Sequence, residues 1–173
     1  MDDLNPKPVR RVDARGTQRW LSNGQLHRTD GPAVVWSDGT QEWWLHGQLH
    51  RTTGPAVISA DGTQWWVHGQ RHRTDGAAVL AADGAQEWWV HGRCHRTDGP
   101  AIIWADGAQE WCFNGQHHRT DGPAVISADG TQQWWYLNGK DITPAVKQWL
   151  KDRAISWPWP DEATRVEFLL TWV

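Results

Sequence analysis

The sequence predicts a mainly β protein: a linear array of about five to six 23-residue β-hairpin repeats, forming an elongated twisted antiparallel sheet with a small α-helical C-terminal cap. Three observations predict it. The segment His27-Arg28-Thr29-Asp30-Gly31-Pro32-Ala33 returns, nearly unchanged, at His50, His72, His95 and His118, at intervals of 23, 22, 23 and 23 residues. Fixed self-similarity of this length is the signature of a repeat array. Asp-Gly pairs at 38–39, 61–62, 83–84, 106–107 and 129–130 each separate an apolar run from a Trp run. Asp-Gly in that setting signals a hairpin, because glycine tolerates the positive φ such turns need. Finally, the chain has 16 Trp against one Tyr and two Phe, so Trp must supply most of the core.

In chain order, residues 1–16 hold two prolines and scattered charges without periodicity, and are expected to be a flexible tail. Residues 17–139 are the array. In its fullest copy the Trp-rich run 40–45 and the β-branched run 56–59 are expected strands. A second turn follows each Trp run, Asn23-Gly24 or His46-Gly47 and their counterparts. An isolated hairpin is marginal in water, so the hairpins must lean on one another. Alternation puts Gln41, Trp43 and Leu45 on one face and Thr40, Glu42 and Trp44 on the other. The Trp43 column continues as Trp20, Trp65, Trp88, Trp111 and Trp134 and is expected to be the core; the Trp44 column varies, as Leu21, Trp66, Trp89, Cys112 and Trp135. The repeat beginning at Thr63 is one residue short and the last is one residue long, which predicts strand bulges.

Residues 140–173 form the cap. Ile142, Val146, Trp149 and Leu150 have helical spacing, with Thr143 the expected N-cap and Pro144 the first helical residue. Trp157-Pro158-Trp159-Pro160 must be extended. Asp161 and Glu162 suit the first turn of a second helix, whose apolar stripe would be Val166, Leu169, Leu170 and Val173.

Composition excludes several functions. A net charge of −3 and a pI near 6.3 provide no basic surface for nucleic acid. Mean hydropathy is −0.70 and no window suits a membrane span, so no membrane insertion is expected. The N-terminus lacks an apolar signal core, and Cys94 and Cys112 are not a disulfide framework, which together suggest the cytoplasm.

Nine histidines raise the question of metal. The best sequence candidate is His91, Cys94 and His95, set against the reading that an element present in every copy serves the repeat itself. The column Arg28, Arg51, Arg73, Arg96 and Arg119 lies two residues from Asp30, Asp75, Asp98 and Asp121. It is either an internal ladder or a row of cations offered to phosphates or an acidic partner. Thr53 replaces the Asp beside Arg51, the arginine with most freedom to bind elsewhere. No nucleophile–base set stands out, so neither catalysis nor a cofactor is expected. Trp36, Trp44, Trp66, Trp89 and Trp104, with Arg51, Arg73 and Arg96, are the candidate contacts to a protein partner, because Trp and Arg dominate interface hot spots. The same Trp row could instead cover a thin core, or stack on sugars.

The order Asn-Gly-Gln-Leu-His, then Gly, a β run, Asp-Gly and an aromatic strand resembles the MORN repeat (membrane occupation and recognition nexus) over residues 17–139. This chain has Arg where that family has Gly after the histidine, and Trp-Trp where it carries Tyr and Gly. The His-Arg-Thr-Asp-Gly-Pro-Ala variant with a terminal Trp-Pro-Trp is also similar to uncharacterised proteins of bacteriophages and large DNA viruses. The resemblance implies binding rather than catalysis: a host protein as partner, as for an inhibitor of host defence (anti-CRISPR-type, for example) or regulation, or alternatively a carbohydrate- or lipid-head-binding virion component. The edge of the N-terminal hairpin has no evident cap, leaving it able to pair with a second copy.

Overall fold

A computed structural model describes residues 7–173. The protein is mainly β, built of short antiparallel hairpins, with two helices, α1 (Thr143–Arg153) and α2 (Glu162–Trp172). It forms two compact units, one up to Arg93 and one from Cys94 onward. The helices cluster with the last repeats in the second unit.

In the first unit the sheet runs in sequence order through Val9–Val12, Gln18–Ser22, Val34–Val35, Gln41–Glu42, Val57–Ser59, Gly62–Gln64, Val79–Ala81 and Gln86–Glu87. In the second it runs through Ile102–Ile103, Gln109–Glu110, Val125–Ile126 and Gln133–Trp134. Each Trp run also enters a second, two-residue hairpin, such as Trp44–Leu45 with Gln48–Leu49 and Cys112–Phe113 with Gln116–His117. These close on turns whose two central residues both have positive φ, 49° at His46 and 75° at Gly47. Asn, Gly and (less readily) His tolerate that region, which is why Asn-Gly and His-Gly recur there. The first Trp of a run, Trp43 for example, links the two pairings. Trp43 N–H donates to Ala56 O, and its own carbonyl accepts from His50 N–H.

The missing and extra residues do not bulge the strands. The usual loop Ser37-Asp38-Gly39, spanned by the Trp36 N–H to Thr40 O bond, shortens to Ala60-Asp61 in one repeat and lengthens to residues 128–131 in another. The ladders stay in register because every strand residue carries a cross-strand partner, whereas loops absorb length changes cheaply. The long loop is pinned by Asp129, whose carboxyl is held down to about 2 by bonds from Ser127 Oγ and from the backbone and hydroxyl of Thr131. The short loop depends on Gly62, at φ +127°, where a Cβ would lie 2.1 Å from Leu80 O. The extra residue also shifts the column: Trp134 pairs with Val125, the place Glu110 takes one repeat earlier, so Trp135 belongs to the core column and Tyr136 to the varying one.

The expected tail is corrected over its described part. Val9–Val12 pairs with Gln18–Ser22, and Asp13 closes the turn by accepting from Arg15 and Thr17 N–H and from Arg19 Nη1. The first six residues lie outside the described structure. The edge of Gln18–Ser22 is thus covered, and the outer strand carries Arg10 and Arg11, charges of the kind that discourage edge pairing.

At the C-terminus, Trp135, Ile142, Val146, Trp149, Leu150 and Phe168 form one buried cluster. All four residues of the expected α1 stripe are in it. Thr143 is not the N-cap; its hydroxyl bonds the Trp135 backbone, and Ile142 holds the cap position. Asp161 does cap α2, accepting from Thr164 N–H at 2.7 Å. The α2 stripe is corrected: Phe168 is fully buried against Trp149 and Trp159, leaving Val166, Leu170 and Val173 exposed. One large ring sets the buried face of a short helix more strongly than four aliphatic side chains at nominal spacing. The segment between the helices, with a cis Trp157–Pro158 bond, docks on the last connector, where Trp159 Nε1 donates to Asp121 O at 2.9 Å.

Candidate functional site

The two faces of the pleat differ in chemistry. The Trp43 column, Trp135 apart, is half-buried rather than the core expected of it. The fully buried array positions are the connector alanines Ala33, Ala56, Ala78, Ala101 and Ala124. Connector arginines lie over the column's rings: Arg28 over Trp20 at 4.1 Å, Arg51 over Trp43 at 3.9 Å, Arg73 over Trp65 at 4.0 Å and Arg119 over Trp111 at 3.9 Å. The glycine three residues on backs the guanidinium; a Cβ on Gly31 would come within 3.1 Å of Arg28 Cζ. Each guanidinium also donates to the carbonyl four residues later: Arg51 to Pro55, Arg73 to Ala77, Arg96 to Pro100. Arg73 and Arg96 add their own aspartates, Asp75 at 2.8 Å and Asp98 at 2.7 Å. These pairs hold the carboxyls below their ordinary range. Arg51 keeps the stack and the carbonyl bond but faces Thr53 instead of a carboxylate. The arginine column is an internal support, and its candidate binding groups are occupied by their own repeats. Grooves remain between connectors in the first unit, of about 550 Å³ beside Thr29 and Thr52 and about 690 Å³ beside Thr53 and Thr74.

The histidines are accounted for by the same periodicity. The positive-φ residue of each small turn directs its N–H at the imidazole of the preceding repeat: His46 to His27 Nδ1, His68 to His50 and His91 to His72, each at 3.2 Å. Asn114 does the same to His95 at 3.2 Å and Asn138 to His118 at 3.0 Å. An accepting Nδ1 requires the neutral ring with its proton on Nε2. Burial, seconded by the adjacent imidazole, lowers the pKa of His50 and His72 below 6.5. The His91, Cys94 and His95 candidate, set against a purely structural role for the repeated element, has its groups engaged elsewhere. The His91 ring lies against His72 at 4.4 Å in a tilted contact and His95 accepts from the Asn114 turn, while Cys94 is buried beside Cys112.

On the Trp44 face the side chains change from repeat to repeat. Glu42 accepts from both Trp36 Nε1 at 2.9 Å and Trp44 Nε1 at 2.7 Å. Trp66 Nε1 donates to Gln64, and Trp89 Nε1 to Glu87 at 2.7 Å. Arg71, standing where other repeats have Leu26 or Leu49, sits 5.4 Å from each of the Trp66 and Trp89 rings and 3.3 Å from Glu87. In the second unit Trp104 Nε1 donates to Glu110 Oε1 at 2.7 Å. The structure thus brings together Trp36 with Trp44, and Trp66 with Trp89. Trp44, Trp66 and Trp89 are half-buried and cover the sheet, whereas Trp36 and Trp104 are 38 % and 42 % exposed.

Glu110, Cys112 and His117 also meet on this face, with one ligand atom from each lying within 4.8 Å of the others. Glu110 Oε2 and His117 Nε2 are 2.7 Å apart. The Cys94 thiol donates to Cys112, which keeps the Cys112 thiol below its usual range despite burial and the Glu110 carboxylate. Sequence reading by short spacing missed this group, because its members come from three strands. The available signal was substitution: Cys94, Cys112 and His117 each replace the residue type that other repeats hold at the same position.

Comparison of the sequence with protein-family models and with curated proteins finds no match.

Proposed function

We propose that this chain is a non-catalytic binding module that recognises a protein partner through Trp–Glu pairs exposed on its repeats. One observation carries the reading, and it holds in each unit by itself: Trp36 in the first and Trp104 in the second are exposed rings whose Nε1 atoms are held by Glu42 and Glu110. A large ring fixed in place before binding loses little entropy on association, and such rings dominate interface hot spots. The connector arginines, engaged within their own repeats, are assigned to the fold instead. A partner presenting Arg or Lys fits best, because a cation already lies over Trp36 in the form of Arg19, at 5.2 Å. With the resemblance to viral proteins, the proposed role is inhibition of a host protein. No described helix is long and apolar enough to cross a membrane.

The test is recovery of the tagged protein from lysate of its natural host, followed by affinity measurement with the stoichiometric partner. Trp36→Ala combined with Trp104→Ala should weaken binding at least tenfold with little change in thermal midpoint, whereas Arg73→Ala should lower the midpoint and leave affinity unchanged. Full affinity without both Trp rings contradicts the reading. Glycan binding lost in the same variant would replace the protein partner with a carbohydrate.

A further inference from the structure

Repeats permit a control that single domains lack: the same place in the fold can be compared filled with different side chains. Around Glu42 the neighbouring positions are Trp44, its cross-strand partner Leu49, and Leu26 of the preceding repeat. The corresponding set around Glu110 is Cys112, its cross-strand partner His117, and Cys94. Three apolar positions have become two thiols and an imidazole, all at one spot. Packing alone is served by Trp and Leu, as the earlier repeat demonstrates. The coincidence calls for a role that needs donor atoms.

We infer that Glu110, Cys112 and His117, with Cys94 as the fourth donor, form a binding site for a single thiophilic divalent cation of the zinc type. Two sulfurs, one imidazole nitrogen and one carboxylate oxygen suit a borderline-soft ion with tetrahedral preference. Bonds of about 2.0–2.3 Å to such an ion place its donors roughly 3.3–3.8 Å apart. The three donors Glu110, Cys112 and His117 already lie within 4.8 Å of one another, whereas Cys94 neighbours Cys112 but lies outside that group and would have to turn its thiol inward to complete the set. Both cysteines are buried, at 6 % and 5 % exposure, and neither is in a disulfide. Trp104 Nε1, on Glu110 Oε1, leaves Oε2 turned toward His117. Such an outer partner orients a carboxylate ligand.

Binding balances as follows. Each thiol gives up its proton to solvent, and both sulfurs then coordinate as thiolates. The His117 proton moves from Nε2 to Nδ1, freeing Nε2 as a donor. The hydrogen bond between Glu110 and His117 is exchanged for two bonds to the ion. The site shares Glu110 and Trp104 with the protein-binding proposal but does not require a protein partner.

The experiment uses the full chain, reduced and stripped of metal, titrated with Co²⁺ and then Zn²⁺. One equivalent of Co²⁺ should produce intense tetrahedral d–d bands and thiolate-to-cobalt charge-transfer absorption, both abolished by stoichiometric Zn²⁺. Cys112→Ser and His117→Gln should each weaken Zn²⁺ binding at least tenfold. Cys112→Trp with His117→Leu restores the residues of the earlier repeat, so it should fold and bind no metal. Co²⁺ bound without a charge-transfer band, wild-type affinity in the Cys112 and His117 variants, or no binding by the reduced wild-type chain would each overturn the assignment.

Discussion

Trp43 and Trp44 are adjacent in the chain and serve opposite faces of the sheet. On the Trp43 side the contacts recur from repeat to repeat: a guanidinium over the ring, a glycine behind it, a carbonyl capped, and a histidine bonded to the next turn. On the Trp44 side the Glu and Trp framework persists while its companions change, from Leu49 to Arg71 to the Cys112 and His117 group. Contacts repeated without variation hold repeats to one another. Positions that vary within a fixed frame are where an array can acquire a site. The connector face is thus the scaffold, and the proposed recognition and metal binding both fall to the Trp–Glu side.

The largest expected effect that would sharpen this contrast comes from Trp135, the core-column ring that is only 2 % exposed. Trp135→Ala should cost about 4 kcal/mol, read as a fall in the urea midpoint at unchanged slope. Next comes Arg73. Removing its stack on Trp65 and its bond to Ala77 O should cost about 1–2 kcal/mol, and Arg73→Lys should not restore it, because an ammonium lacks the planar stacking surface.

The histidine bonds predict a pH window. With the pKa of His50 and His72 lowered on folding, the unfolded chain binds protons more readily below the ordinary value of 6.5. Stability should be constant above about pH 7 and should fall as pH drops through 6.5 toward the lower folded values. Asp30, Asp75 and Asp98 also have lowered pKa values, so their contribution is lost only as pH falls below the ordinary 3.8. Thermal midpoints from pH 8 to pH 5 should isolate the histidine step; a flat profile there would break the assignment of the column to the scaffold. The smallest effect is a gain. Thr53→Asp gives Arg51 the carboxylate its counterparts have, worth about 0.2–0.5 kcal/mol in denaturant titration.

Much of this architecture could be read from the residues, because Asp-Gly, Asn-Gly and the Trp column each impose a local rule that the repeat multiplies. What escaped was non-local. The pairing of Val9–Val12 depends on Asp13 gathering three donors, which no periodicity announces. The last repeat was misread by one place because an insertion in the Trp run looks the same whether strand or loop absorbs it; only the Val125–Trp134 pairing decides. The candidate metal group was half visible in Cys94, but nearness along the chain pointed to His91 and His95, whose rings are engaged by a tilted contact with His72 and by the Asn114 turn. Sequence proximity in a hairpin array favours the wrong neighbours, since the true ones lie across the ladder.

The division between the faces is tested most directly by comparing thermal midpoints of Trp43→Ala and Trp44→Ala. Loss of the Trp43 ring, with the Arg51 stack, should cost about 3 kcal/mol and lower the midpoint by about 6–12 °C. Loss of the Trp44 ring and its Glu42 bond should cost about 1 kcal/mol, or about 2–4 °C. Equal falls, or the reverse order, would contradict the account.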